Sequence, residues 1–167
     1  MSLSASAPIS PCLWFDHELE EAAEFYTQVF PNSSIGHMTR YPEHGPGEPG
    51  AVMAGDFTID GLTFRGINGG PDHAGFTETI SFSVTCKDQA EVDHYWEALT
   101  ADGGEESVCG WLKDRFGLSW QIVPARLYEL IGDPDPARAS AATEAMMRMR
   151  KIVLADAEAA ADAVGQG

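Results

Sequence analysis

Two stretches of this chain, seventy residues apart, carry apolar side chains in the same order, and that repetition restricts the fold more than any other feature. Trp14 falls on Val84, Ala22 on Val92, Phe25-Tyr26 on Tyr95-Trp96, and Val29 on Leu99. Each stretch reads as a strand, a helix and then three strands, a βαβββ unit written twice. A repeat of this length implies a pseudo-twofold α+β domain rather than a solenoid. A single α+β meander with coincident spacing is the alternative.

The first unit opens with residues 9–16 (ISPCLWFD), apolar and aromatic, where Pro11 suits a strand start or a sheet edge. Leu19, Ala22, Ala23, Tyr26, Val29 and Phe30 then recur at helical spacing. Glu18, Glu20 and Glu21 fall in the first turn, where the helix dipole favours negative charge, and Pro31-Asn32 stops the helix. Residues 33–41 read as a strand. Residues 42–50 (PEHGPGEPG) hold three prolines and three glycines and read as a loop. Residues 51–60 and 62–67 read as two strands around a tight turn at Asp60-Gly61, and Asn68-Gly69-Gly70-Pro71 breaks the pattern.

In the second unit, Ile80, Phe82 and Val84 alternate with Thr79, Ser81, Ser83 and Thr85, a strand with one polar face. Asp88 is placed to cap a helix whose apolar face is Val92, Tyr95, Trp96 and Leu99. Short strands are expected at 106–108, 110–115 and 118–123, with Phe116-Gly117 as the last turn. The chain then turns alanine-rich, with breaks at Gly132-Asp133-Pro134 and Asp135-Pro136. Residues 137–164 predict one long helix, apolar at Ala142, Met146, Met149, Ile152 and Val153, packing on the sheet or on a partner subunit. Residues 155–167 have few large apolar groups and are expected to fray. The predicted organisation is a disordered end at 1–8, a paired βαβββ domain at 9–124 (modules 9–70 and 78–124), and a helical extension at 125–167.

Charge narrows the partners. The chain has 26 Asp and Glu against 10 Lys and Arg, a formal net charge of −16. Such a body repels phosphate backbones and anionic lipid, so neither nucleic acid nor a membrane surface is expected as a partner. No apolar run approaches the ~18 residues that span a bilayer. The first residues lack the basic and apolar stretches of a signal peptide. Cys12, Cys86 and Cys109 are odd in number and lack metal-type spacing, which suits a reduced, cytoplasmic protein.

Several strings point further. They are Pro11-Cys12-Leu13-Trp14-Phe15-Asp16, then Glu20-Glu21-Ala22 with Phe25-Tyr26, then Asn68-Gly69-Gly70-Pro71 and Ile80-Ser81-Phe82-Ser83-Val84. The most specific runs from Cys109 through Trp111 to Pro124 (CGWLKDRFGLSWQIVP), and Ala145-Met146-Met147 with Met149 and Lys151 adds a tail signature. Over residues 9–160 the chain resembles the PhnB-like family, also labelled 3-demethylubiquinone-9 3-methyltransferase-like, of the vicinal oxygen chelate (glyoxalase/bleomycin resistance/dioxygenase) superfamily. The resemblance implies α+β architecture: two βαβββ modules roll their strands into a cup, with C-terminal helices added. One strand face lines the cup and the other packs on the helices.

Alternation then assigns sides. Ile80, Phe82 and Val84 are expected to face helices, leaving Thr79, Ser81 and Ser83 to the cup. Leu118, Trp120 and Ile122 pack inward, leaving Ser119, Gln121 and Val123 to the cup. The same parity puts Ile9, Pro11, Leu13 and Phe15 there, and Arg65 and Asn68 lie within reach of it. The expected ligand-binding residues are Leu13, Phe15, Arg65, Asn68, Thr79, Ser81 and Gln121. Metal-dependent members of the superfamily carry histidines and glutamates on these strands. Here Thr79 stands where a histidine aligns and Gln121 where the terminal glutamate aligns. An uncharged hydroxyl and amide are weak ligands for a divalent ion, so no metal and no cofactor is expected.

The five histidines, His17, His37, His44, His73 and His94, form no ligand pair; His37, on a strand, is the one placed to face the cup. Cys109, before Gly110 at a strand start, is the most plausible reactive thiol, although an inert role is expected. Trp14, Trp96 and Trp120 are expected in the helix–sheet core, Trp111 at a rim, and Asp114 as the brace of the last hairpin. No catalytic residue is identified. The methyltransferase label finds no glycine-rich loop after the first strand, where a nucleotide-like methyl donor would bind. The sequence therefore points to a metal-independent homodimer binding a small organic ligand. The alternatives are a lyase, isomerase or dioxygenase-type enzyme drawing ligands from His37, Glu78 or His17, the methyltransferase of the label, or a drug-sequestering resistance protein.

Overall fold

The computed structural model describes residues 9–72 and 75–164 and divides into two compact units between Gly75 and Phe76. The predicted loose end at 1–8, His73 and the last three residues lie outside the described residues. Each unit holds one βαβββ module with a four-stranded mixed sheet.

The first unit runs β1 (Cys12–Phe15), α1 (Leu19–Val29), β2 (Ser34–Arg40), β3 (Val52–Ile59) and β4 (Leu62–Asn68), with spatial order β1-β4-β3-β2. Only β1 and β4 run parallel; the rest pair antiparallel. Asp60 and Gly61 take φ of 43° and 79°, the pair of positive values that lets a two-residue turn follow strand twist. Leu19, Ala22, Ala23 and Tyr26 are buried on the sheet. Gly66 is required beneath them, because a Cβ there would stand 2.0 Å from Leu19 Cδ1. Phe57 stacks between Tyr26 and Phe64, with centroids at 6.1 and 5.4 Å.

This packing corrects the predicted phase of the first strand. Leu13 pairs with Gly66 and shares its helix-covered face. Leu13 and Phe15 are therefore core residues, 6% and 3% exposed, rather than cup residues. Trp14, expected in the core, turns to the open face, where its Nε1 donates to the Gly70 carbonyl (3.1 Å). The offset of seventy holds for the helices but slips by one in the strands. Phe15 precedes Ala22 by seven residues, whereas Cys86, its buried counterpart, precedes Val92 by six. A slip of one residue exchanges the faces of a strand.

The second unit runs β5 (Phe82–Cys86), α2 (Gln89–Thr100), a 3-10 turn at Ala101–Gly103, β6 (Glu105–Glu106), β7 (Trp111–Lys113) and β8 (Ser119–Pro124), with spatial order β5-β8-β7-β6. Asp88 caps α2 as expected, its Oδ1 accepting the Glu91 N–H (3.0 Å). Val92, Trp96 and Leu99 bury against Leu112, Leu118, Trp120 and Ile122. β5 is shorter than predicted, and Ile80, outside it, is exposed rather than packed on a helix.

The C-terminal region is three helices rather than one: α3 (Ala125–Ile131), α4 (Pro136–Met147) and α5 (Leu154–Val164). Asp135 caps α4 through the Ala137 N–H (2.9 Å), with Pro136 in its first turn. Where fraying was expected, Ala157 and Ala161 are fully buried, in one cluster with Val123, Leu127, Leu130, Ala142 and Ile152. Val123 accordingly belongs to this cluster and not to an open face. Gln89 binds the junction: its Oε1 accepts the Leu154 N–H (2.8 Å) and its Nε2 donates to the Ile152 carbonyl (2.9 Å).

Candidate functional site

The register of the second sheet sorts its side chains into two faces. Trp111 pairs with Gln121 and Lys113 with Ser119 across β7 and β8. Leu112 and Trp120 alternate with them and point to α2. Ser83 lies beside Gln121 across β5 and β8, and Glu105 beside Lys113 across β6 and β7. The face turned away from α2 thus carries Ser83, Gln121, Trp111, Ser119, Lys113 and Glu105.

Polar pairs tie that face together. Gln121 Nε2 donates to Ser81 Oγ (2.9 Å). Ser83 Oγ and the Tyr128 hydroxyl lie 3.4 Å apart. Lys113 Nζ meets Glu78 Oε1 at 2.5 Å. That hydrogen bond raises the Lys113 pKa and lowers that of Glu78.

At the β6–β7 side lies a half-open cleft of about 440 Å³, lined by Glu78, Glu105, Val108, Cys109, Trp111, Lys113 and Ser119 among others. The turn that forms its wall has Cys109 and Gly110 at φ 58° and 80°, closed by the Trp111 N–H on the Val108 carbonyl (3.0 Å). A Cβ on Gly110 would stand 2.9 Å from the Ile122 carbonyl oxygen, so this approach requires glycine. Ser119 is 1% exposed, and its Oγ has no hydrogen-bond partner.

Of the expected ligand-binding residues, Ser81 and Gln121 are brought together on this face. Thr79 precedes β5 and is exposed, its Oγ1 at 2.7 Å from Thr77 Oγ1. Leu13 and Phe15 are in the core of the first unit. Asn68 is a brace there, its Oδ1 accepting the Leu19 N–H (2.9 Å) and its Nδ2 donating to the Val52 carbonyl (3.0 Å). Arg65 lies on the open face of the first sheet, 3.8 Å from Asp56. His17, His37, His44 and His94 are all exposed.

Sequence reasoning left Lys113, Trp111 and Ser119 out of the ligand set. Alternation around buried Leu112 carried the signal for the first two, but their partners, Glu78 above all, come from distant segments.

The open face does not suit a divalent ion. Its donors at Ser81 and Gln121 are neutral and already bonded to each other, and the charge between Glu78 and Glu105 is supplied by the Lys113 ammonium. Among the described residues, one group of carboxylates and imidazole is close enough for a metal: Asp16, His17 and Glu18, at the turn between β1 and α1. It lies outside the strands, with Asp16 and His17 exposed and Glu18 half-buried, and with His17 at 3.5 Å from Asp16 and 3.9 Å from Glu18.

A sequence model of the family described as 3-demethylubiquinone-9 3-methyltransferase matches residues 7–123. No curated protein matches the sequence significantly. Among solved structures, a putative 3-demethylubiquinone-9 3-methyltransferase, PhnB protein, from Bacillus cereus is 35% identical, with a TM-score of 0.66 over 71% of this chain and 100% of that one. A protein from Pseudomonas aeruginosa is 21% identical, with a TM-score of 0.59 over 71% and 98% of the two chains. A fosfomycin resistance protein from Listeria monocytogenes, solved with manganese(II) and dihydroxypropylphosphonic acid, is 20% identical, with a TM-score of 0.50 over 71% and 91%. At that identity the last two share the fold alone.

Proposed function

This chain belongs to the PhnB-like, 3-demethylubiquinone-9 3-methyltransferase family of the vicinal oxygen chelate superfamily, and we propose that it is a metal-independent binding protein for a small organic molecule. The site is the cleft on the open face of the second sheet. One observation carries the reading: Ser119 Oγ, buried in the cleft wall, has no partner. A buried hydroxyl left unpaired costs about 1–3 kcal/mol, which a polar atom of a ligand would recover. The cleft's size and mixed lining suit such a ligand.

The reading is of binding rather than turnover. The cleft lining contains one thiol, Cys109, and no histidine to act as its base. In this reading the ligand is released unchanged, as in a sequestering protein. Methyl transfer has no comparable support, since β1 leads into the acidic start of α1 and not into a glycine-rich turn.

The same reading takes the protein as a cytoplasmic homodimer. All three cysteines are free, and exposed Tyr128, Met147 and Val153 on and between the C-terminal helices offer apolar surface to a second copy. Among the described residues no helix is long and apolar enough to cross a membrane. Sedimentation equilibrium tests the dimer.

The decisive experiment is a fragment titration of the full chain followed by amide and indole NMR. Binding is expected to shift Trp111, Lys113, Ser119 and Gln121 together, and the Ser119→Ala variant to weaken it. A fragment set that leaves these signals unmoved, or a stoichiometric divalent ion in purified protein, would overturn the reading.

A further inference from the structure

The cleft holds one ion pair whose two halves differ in how firmly they are placed. Lys113 sits in β7, hydrogen-bonded on both sides, and its side chain is about two-thirds buried. Glu78 sits on a turn outside the sheet, and its side chain is 64% exposed. Lys113 pairs with Ser119 in the ladder, so both side chains rise from neighbouring positions on one face. Cβ atoms so paired lie about 5 Å apart, which sets the root of the Lys113 side chain beside the Ser119 hydroxyl. Glu78 reaches the ammonium alone: the Ser119 hydroxyl remains without a partner.

From this arrangement we infer that Glu78 is a resident stand-in for the acid group of the ligand, and that the cleft selects an organic monocarboxylate with a flat apolar body. The inference rests on the cleft being the ligand site. A ligand carboxylate placed on Lys113 accepts from the ammonium with one oxygen and from Ser119 Oγ–H with the other, so the exchange replaces one charge-assisted hydrogen bond with two. Glu78 swings into water, which its exposed turn permits. Trp111, two residues from Lys113 on the same face, and Val108 beside it supply the apolar wall for the body of the ligand.

Charge number follows from the same residues. Glu105 lies opposite Lys113 in the β6–β7 ladder, and Glu106 is engaged elsewhere, with Trp96 Nε1 and Arg150. Once Glu78 has left, Lys113 and Glu105 together are neutral. Each negative charge on the ligand meets Glu105 as well as Lys113, so a monoanion on the ammonium is preferred to a phosphate or phosphonate dianion.

The test uses three probes of one shape, phenylacetate, its neutral amide phenylacetamide, and benzylphosphonate, titrated into the full chain and read at the Trp111 indole and Cys109 amide signals. Phenylacetate is expected to bind at least about fivefold more tightly than either of the others. Lys113→Met is expected to remove that preference, bringing phenylacetate and phenylacetamide to similar affinities. Glu78→Gln, on the exposed turn and harmless to the core, is expected to tighten phenylacetate by about threefold relative to the amide, as loss of an exposed competing ion pair allows. Equal binding of acid and amide, tighter binding of the phosphonate, or no gain in Glu78→Gln overturns this inference while the cleft stands as a ligand site. If phenylacetate fails where other fragments shift the cleft, the inference also falls alone. If nothing shifts the cleft, both fall.

Discussion

Asp114 is 2% exposed, and both of its carboxylate oxygens are engaged. Oδ1 accepts the N–H of Phe116 (2.9 Å) and of Leu118 (3.1 Å), and Oδ2 accepts Nε1 of Trp120 (2.9 Å). One side chain thus fixes the hairpin that places β7 beside β8, and with it the spacing of Lys113 and Ser119. Asp114→Ala should cost about 3 kcal/mol in urea denaturation, because it leaves buried donors unpaired. Asp114→Asn should cost nearly as much, since its NH₂ must face a donor. A loss below about 1 kcal/mol would assign the hairpin to its backbone alone. Cys86 gives a second prediction at this scale. Burial, with Glu91 and Asp88 nearby, pushes its pKa up to about 12. Below the ordinary thiol pKa both states keep the proton and stability is unaffected. Above it the unfolded chain ionises first, so stability falls as pH climbs toward about 12, by at most about 1.4 kcal/mol per pH unit. Wild type should lose more stability than Cys86→Ala between about pH 8 and about pH 10.5. A thiol reagent should modify Cys12 and Cys109 in the native protein and reach Cys86 only on unfolding.

Elements here are joined by side chains that cap their neighbours. Gln89, the first residue of α2, holds the first N–H of α5 and the carbonyl two residues before it. Gln89→Ala should lower stability by about 2 kcal/mol, mostly from the two hydrogen bonds to α5 and the residues before it, and speed amide exchange in α5 ahead of α4. Gln89→Glu keeps the acceptor but sets a carboxylate against the Ile152 carbonyl and the Asp93 carboxylate, to both of which Nε2 donates, so it should cost at least as much. Unchanged exchange at Leu154 and the residues after it would show that burial of Ala157 and Ala161 alone holds the helix. This junction also marks where sequence stops being legible. The strand–helix order, the Asp60-Gly61 turn and the Asp88 cap are local and could be read from alternation, periodicity and turn chemistry. The break at 148–153 has no proline or glycine to announce it. It is set from outside, where the Cys109 and Gly110 N–H groups take the Met149 and Arg150 carbonyls at 2.8 and 2.7 Å. The phase of β1 was hidden because one extra residue before α1 inverts a strand without disturbing the helical repeat. In the cleft, Ser81 and Gln121 were visible through period-two alternation. The joining of Lys113 to Glu78 depends on strand order, which no local pattern encodes.

On the scale of the whole chain, the family match ends at residue 123 and the helical region begins at Ala125. The three helices are nonetheless integral to the second unit. Val123, the penultimate residue of β8, is buried in their cluster, and Ile152 stands over Gly110, where a Cβ would be 3.1 Å from its Cγ1. The turn that walls the cleft therefore receives both its backbone acceptors and its apolar cover from the segment joining α4 to α5. Ile152→Ala should cost about 3 kcal/mol as a fully buried truncation. It should also loosen the Cys109-Gly110 turn, read as faster exchange of those two amides and weaker fragment binding at Trp111. A chain ending at Pro124 loses the same supports at once. Exchange is expected to rise across β7 and β8 and the cleft to stop binding, while β3 and β4 of the first unit keep their protection, since their cover is α1. If the shortened chain binds fragments like the full one, the helices serve some purpose other than holding the cleft. If β3 and β4 lose protection as well, the first unit depends on more than its own helix.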